Sequence, residues 1–358
     1  MRTPARIVST LSFGLCFAVA AVGFAQRGGK PASTASDTTA RIVAAAQAVV
    51  ATLDDAGKAK VQFPFEGPQK TRWSNLPVGI FQREGLLLAD LTPPQRAAVN
   101  NLLATALSKD GLRKVTEIMG GDEALRIAQS GRGGGDGRGR AGARGGGGVQ
   151  FGGDLYFLAF VGTPSVTEPW MLQFGGHHLA INLTMAGNQS SMAPSLPATQ
   201  PATYTLEGRS IRPLGNENDK AFALINALSD AQRKQAVLGY TVSDLVLGPL
   251  QDGKTIQPEG VRASALAAPQ QTMLLELVRE WAGIMNDTFA EAKMAEIRTN
   301  LPDTYFAWSG PTTNGSAAYF RIQGPTLVIE YAPQGGVDHI HTIYRDPTND
   351  YGAKFARK

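Results

Sequence analysis

The stretch Trp170-Met-Leu-Gln-Phe-Gly-Gly-His177-His178-Leu-Ala-Ile-Asn-Leu-Thr184 decides how this chain is read. It alternates or runs apolar on both sides of a histidine pair, which is the pattern of strands rather than of a helix. Upstream, Leu155 to Val161 is a nearly continuous apolar run and reads as another strand. Downstream, Thr304 to Trp308, Ala318 to Gln323, Thr326 to Ala332 and His339 to Arg345 carry strand patterns. Gly324-Pro325 predicts a hairpin between the second and third of these.

The remaining patterns are helical. Ile42, Val43, Ala46, Val49, Val50 and Leu53 form one apolar stripe behind Asp37, which is expected as the cap. Thr92-Pro93-Pro94-Gln95 starts a second helix, with Val99, Leu102, Leu103, Ala106 and Leu107 on its buried side. Gly111 to Gln129 reads as a helical pair broken at Gly120-Gly121. Ser229-Asp230-Ala231-Gln232 is a capping box, and Pro269 to Met285 makes a long amphipathic helix. Phe63 to Leu91, punctuated by Pro64, Gly67, Pro68, Pro77 and Gly79, is irregular chain with brief strands. The fold class is therefore α+β: a mainly antiparallel sheet carrying the histidines, packed with an N-terminal and a central set of helices.

A chain of 358 residues with 43% hydrophobic residues can bury a sizeable core. Arg2 and Arg6, an apolar run from Leu11 to Phe24, and a small residue at Ala25 lay out a secretory signal peptide over 1–25. A flexible leader over 26–36 and a single domain over 37–358 are expected to follow. The product is expected to be periplasmic or extracellular, with no membrane attachment after cleavage. The only cysteine, Cys16, lies inside the signal, so a mature chain has no disulfide and depends on packing. Residues 131–148 are a Gly/Arg insert that cannot bury enough apolar surface to order itself, and a disordered loop is expected there. The net charge of +4 comes from that insert and the signal; the rest is near neutral, which argues against a nucleic-acid partner.

All four histidines fall in two motifs, Gly-Gly-His177-His178 and Asp338-His339-Ile340-His341. Imidazole is the commonest transition-metal ligand, so the two motifs are expected to meet in space around a divalent ion, zinc before copper. On a strand His339 and His341 point to one side and Ile340 to the other. A regular strand would send His177 and His178 to opposite faces, with His178 in the polar register of Asn182 and Thr184. A bulge at Gly175-Gly176 would instead bring both rings to the site. Glu330, an acid in an apolar strand, is expected as base or fourth ligand, or as half of a buried pair with Arg345 or Arg321. Arg345 is expected to orient a small-molecule substrate, and Asp338 or Asp346 to orient a histidine. The sequence has no Gly-x-Ser-x-Gly elbow, phosphate-binding Gly-Lys-Ser/Thr loop, dinucleotide fingerprint or His-Glu-x-x-His helix. The readings that remain are a metal-dependent hydrolytic enzyme, a copper-dependent oxidative one, and a non-catalytic protein that captures a small ligand or metal.

Several stretches together resemble the domain-of-unknown-function 3500 family of bacterial and fungal proteins. They are Trp73-Ser-Asn-Leu-Pro77, Gly85 to Leu91 with Gln95-Arg96, Pro169 to Asn182, Gly324 to Tyr331, and His339-Ile-His341 through Arg345-Asp346 to Asn349-Asp-Tyr-Gly352. The resemblance implies a family built around the two histidine motifs and supplies no reaction.

Overall fold

The computed structural model describes residues 33–132 and 148–355. The expected signal peptide, most of the leader and nearly all of the Gly/Arg insert lie outside them. The helices α1 (Ala35–Ala51), α2 (Asp55–Val61), α3 (Pro93–Ala106) and α4 (Lys109–Arg132) lead into the first sheet. Thr34, rather than Asp37, caps α1. Its hydroxyl accepts the Asp37 amide at 3.1 Å, and Asp37 closes the capping box from the third helical position. Helix α3 starts at Pro93 behind Thr92, as expected, and the Thr92 amide donates to the Gln95 side chain at 2.9 Å.

Helix α4 corrects the expectation of a broken pair, because it runs unbroken through Gly120-Gly121. Glycine inside a helix costs about 1 kcal/mol relative to alanine, so a packing reason is required. A Cβ on Gly120 would stand 2.5 Å from the Tyr204 hydroxyl, which donates to the Glu117 carbonyl at 2.7 Å. The glycine lets the helix approach the chain after the first sheet, and it places the next turn, with Asp122, under that sheet.

The first sheet has seven strands: β1 (Gln62–Phe63), β2 (Leu86–Leu87), β3 (Phe157–Val161), β4 (Trp170–Gly176), β5 (Leu179–Ala186), β6 (Gln189–Ser191) and β7 (Leu196–Pro197). They order as β1-β3-β4-β5-β6, with β2 on β3 and β7 on β5, antiparallel apart from β1–β3. A ribbon of β8 (Tyr204–Leu206) and β9 (Arg209–Ile211) follows, then α5 (Gly215–Ala227) and α6 (Asp230–Ala236). The second sheet is antiparallel, β10-β11-β12-β13-β14, from β10 (Val261–Arg262), β11 (Tyr305–Ser309), β12 (Tyr319–Gly324), β13 (Leu327–Pro333) and β14 (Ile340–Arg345). Helices α7 (Ala268–Ala282) and α8 (Asp287–Thr299) lie between β10 and β11 in the chain. The predicted hairpin is present, with Gly324 paired to Leu327 across a two-residue turn.

The alternation of each strand sorts its side chains into cores. Trp170, Leu172, Phe174, Leu179, Ile181 and Leu183 join the stripes of α1 and α3 in one core. Phe306, Phe320, Ile329, Ile340 and Tyr344 join α5 and α7 in a second. The opposite faces meet in a smaller third core, where Met171, Ala180 and Leu196 from the first sheet touch Ile343, Trp73 and Tyr351. Chain around β7 stitches the sheets. Leu196 and Pro197 pair with Ala180 and Leu179, while Ser195 and Thr199 exchange backbone hydrogen bonds of 2.8–2.9 Å with Tyr344 and Ile340.

Thr342 is the polar pin of this stitch. Its hydroxyl donates to the Pro197 carbonyl at 2.5 Å and accepts from the Trp281 indole at 2.9 Å, with no exposure of the residue. Thr342→Val keeps the shape but strands a buried donor and a buried acceptor. The expected loss is roughly 2–4 kcal/mol, read by chemical denaturation, with unchanged secondary structure.

Candidate metal centre

Gly176 pairs with Leu179, so His177 and His178 are the two central residues of the β4–β5 hairpin turn. Neither the regular strand nor the bulge expected at Gly175-Gly176 occurs here. His178 has φ of 59°, the left-handed region that the second position of such a turn demands and that favours glycine. The His178 amide donates to the Asn75 carbonyl at 3.2 Å, and its carbonyl accepts from Ala198 at 2.8 Å. The turn therefore puts both rings on one side, centroids 3.6 Å apart.

The second motif behaves as its period requires. His339 and His341 project together, with centroids 4.6 Å apart, while Ile340 enters the second core. Thr199 holds Ile340 by two backbone hydrogen bonds, and the neighbouring Ala198 holds His178. One short strap thus fixes both motifs, and the rings converge. Nε2 of His178 lies 2.9 Å from Nε2 of His339, and one ring nitrogen from each of His178, His339 and His341 lies within 4.8 Å of the others. Two nitrogens on one tetrahedral zinc stand roughly 3.3 Å apart, given bond lengths of about 2.0–2.1 Å. The three rings are thus close to the spacing of a metal site and can hold an ion. Burial pushes the His178 imidazole down to about 3, and burial with His341 beside it pushes His339 down to about 4. Both rings are therefore neutral at pH 7, the form in which an imidazole could bind an ion.

A second group shares His178. Asp122 of α4 faces Nδ1 of His177 at 2.9 Å and Nδ1 of His178 at 3.4 Å, and takes the Tyr156 hydroxyl at 2.7 Å. Burial raises this carboxyl, but the hydrogen bonds and charges of the two histidines outweigh it, and it is held below the usual range. At the outer side Asn75 approaches Nε2 of His341 at 3.2 Å, and Asp244 faces Nδ1 of the same ring at 3.5 Å. Arg83 clips the approach by donating to the carbonyls of Ser74, Leu76 and Gly176 at 2.6–2.7 Å.

Glu330 and Arg345 do not join this centre. Both share the face of His341, but the chain from Asp244 to Asp252 lies along that face and binds them. Glu330 accepts from the amides of Val246 and Leu247 at 2.9 and 2.7 Å and from the Tyr319 hydroxyl at 2.7 Å. Arg345 donates to the carbonyls of Leu247 and Gly248 and to Asp252 and Asp350. Glu330 is not paired with Arg321 either, which bonds Glu259. Asp338 takes the Ala202 amide and Asp346 takes Lys293, so neither of these two is beside a ring, and the carboxylates that face the imidazoles are Asp122 and Asp244. Neither had a sequence signal beyond the Gly-Gly that precedes Asp122. Asn75 sits within the Trp73-Ser-Asn-Leu-Pro77 motif, the one legible hint of its place.

If Glu330 is structural, Glu330→Gln should lower stability by about 1–3 kcal/mol through lost charged hydrogen bonds and leave the metal content of the protein unchanged. Thermal melts and elemental analysis on the same preparation check both halves.

Among the described residues no helix is long and apolar enough to cross a membrane. No curated protein and no solved structure matches the chain. A family model, protein of unknown function (DUF3500), matches residues 35–353, which takes in both histidine motifs, Asn75, Asp122 and Asp244. The chain belongs to that family.

Proposed function

We propose that this is an exported, metal-dependent hydrolytic enzyme whose ion is held by His178, His339 and His341. The observation that carries the reading is the convergence of ring nitrogens from two motifs 161 residues apart, with carboxylates set behind them. Three protein ligands leave a coordination position for water or substrate, which favours zinc, with copper the alternative ion for an all-histidine set. Such an ion, when bound, supplies Lewis acidity and activates water near neutral pH.

The chain's own residues shape the rest. Asp244 orients His341 and is exposed at the outer side of the centre, so it takes over the proton-accepting role expected of Glu330. Asn75 is placed to hold a polar substrate group near His341. A small cavity of about 20 Å³, room for about one water, is lined by Trp73, Ser74, Arg83, Phe174 and Leu179 beside the histidine turn, so a substrate would reach the centre from its outer side, where Asn75 and Asp244 stand. Export follows from the pattern of the first 25 residues.

The binding-protein reading is separated by two measurements. Untagged mature protein should carry close to one equivalent of zinc or copper by elemental analysis. His339→Ala/His341→Ala should lose it, with affinity down by more than about 100-fold, as expected when two of three ligands go. A panel of ester, amide and phosphoester substrates should then show turnover that a chelator abolishes and added zinc restores. Metal without turnover favours the binder, and metal-free protein ends the reading.

A further inference from the structure

A carboxylate from α4 buried beneath the histidine turn needs an account of its own. Asp122 is 1% exposed, and removing a carboxylate from water costs several kcal/mol unless donors surround it. Its Oδ2 takes the Tyr156 hydroxyl, and its Oδ1 has only the two Nδ1 atoms, at 2.9 and 3.4 Å. Nδ1 of His178 is buried and completes no hydrogen bond among the described residues, and the acceptor it faces is Asp122 Oδ1 at 3.4 Å. An ionised carboxylate only accepts, and a neutral imidazole carries one proton. With that proton drawn to Nδ1, Nε2 keeps a bare lone pair, and on His178 that atom is the one aimed at His339. His177 packs against His178 and binds the same oxygen, so it braces the ring from the side.

We propose that Asp122 is the positioning residue of the centre: by accepting the Nδ1 protons of His177 and His178 it sets the tautomer and angle in which His178 offers Nε2 to the ion. The inference rests on the metal reading for its purpose, though the tautomer it requires exists without metal. His177 is then a brace, not a ligand, and the centre binds one ion. The alternative chemistry of the same atoms, an ion seated among Asp122, His177 and Nδ1 of His178, would make His178 a bridge between two ions.

The test uses the full mature chain with 15N-labelled histidine. In the metal-free wild type, long-range proton–nitrogen correlation spectra should show His178 protonated on Nδ1, and Asp122→Asn should abolish that preference. With cobalt(II) as probe, the wild type should bind one equivalent. Asp122→Asn should bind about 10- to 100-fold more weakly, the usual effect of losing a ligand's hydrogen-bond partner, with an altered visible spectrum that Asp122→Glu partly restores. A wild-type His178 protonated on Nε2, unchanged cobalt affinity and spectrum in Asp122→Asn, or two cobalt ions per chain would each overturn the proposal. Should the variant not fold, the wild-type tautomer and stoichiometry still decide. A wild type that binds no cobalt yet shows the Nδ1 tautomer, lost in Asp122→Asn, would sink the metal reading and leave the positioning role standing.

Discussion

Backbone hydrogen bonds between the Ser195–Thr199 strap and the two sheets are the constraint on which the centre depends. The strap pairs with the first two residues of β5 on one side and with β14 on the other. Ala198 and Thr199 are consecutive, and they hold His178 and Ile340 respectively. The separation of the two motifs is therefore set by a peptide repeat, a rigid quantity, and not by flexible side chains. This is how a sequence interval of 161 residues becomes a nitrogen–nitrogen distance of 2.9 Å.

The interior around that strap holds several buried polar side chains. Gln173 bonds Asn182 and Gln69, Asn182 bonds the Pro194 carbonyl, and Thr342 bonds Pro197. These amide and hydroxyl groups find partners, while the buried hydroxyls of Thr184 and Ser195 beside them have none among the described residues, so the network specifies one register at some cost in burial. The polar register of Asn182 and Thr184, expected to lead to His178, faces this interface, and the turn then redirects both histidines beyond it.

The same principle explains where Glu330 and Arg345 find their partners. Glu330 and Arg345 stand on the correct face of the second sheet, two strand positions or more from His341, and a buried charge must be compensated where it stands. The chain from Asp244 to Asp252 supplies amides to Glu330 and carbonyls to Arg345, so it is anchored over the sheet. That anchoring delivers Asp244 to His341. Charges that looked chemical serve to fix the loop that carries the residue beside the ring.

Local pattern determined most of the longer helices and strands, the Ser229–Gln232 capping box, the β12–β13 hairpin, the α+β class and the common side of His339 and His341. These follow from local rules: a period of two or near 3.6, a hydroxyl before a helix, a glycine-proline turn. The pairing of all four histidines was legible as composition, because a chain with none elsewhere has a reason to gather them. Only tertiary structure decided that His177 and His178 are a turn and that Gly120-Gly121 is a close approach and not a break. It also decided that Asp122, Asn75 and Asp244, not Glu330, Arg345, Asp338 or Asp346, surround the rings. A single Asp or Asn carries no periodic signal, and which carboxylate reaches a given imidazole depends on how helices and loops pack over the sheets, a long-range outcome that no local pattern encodes.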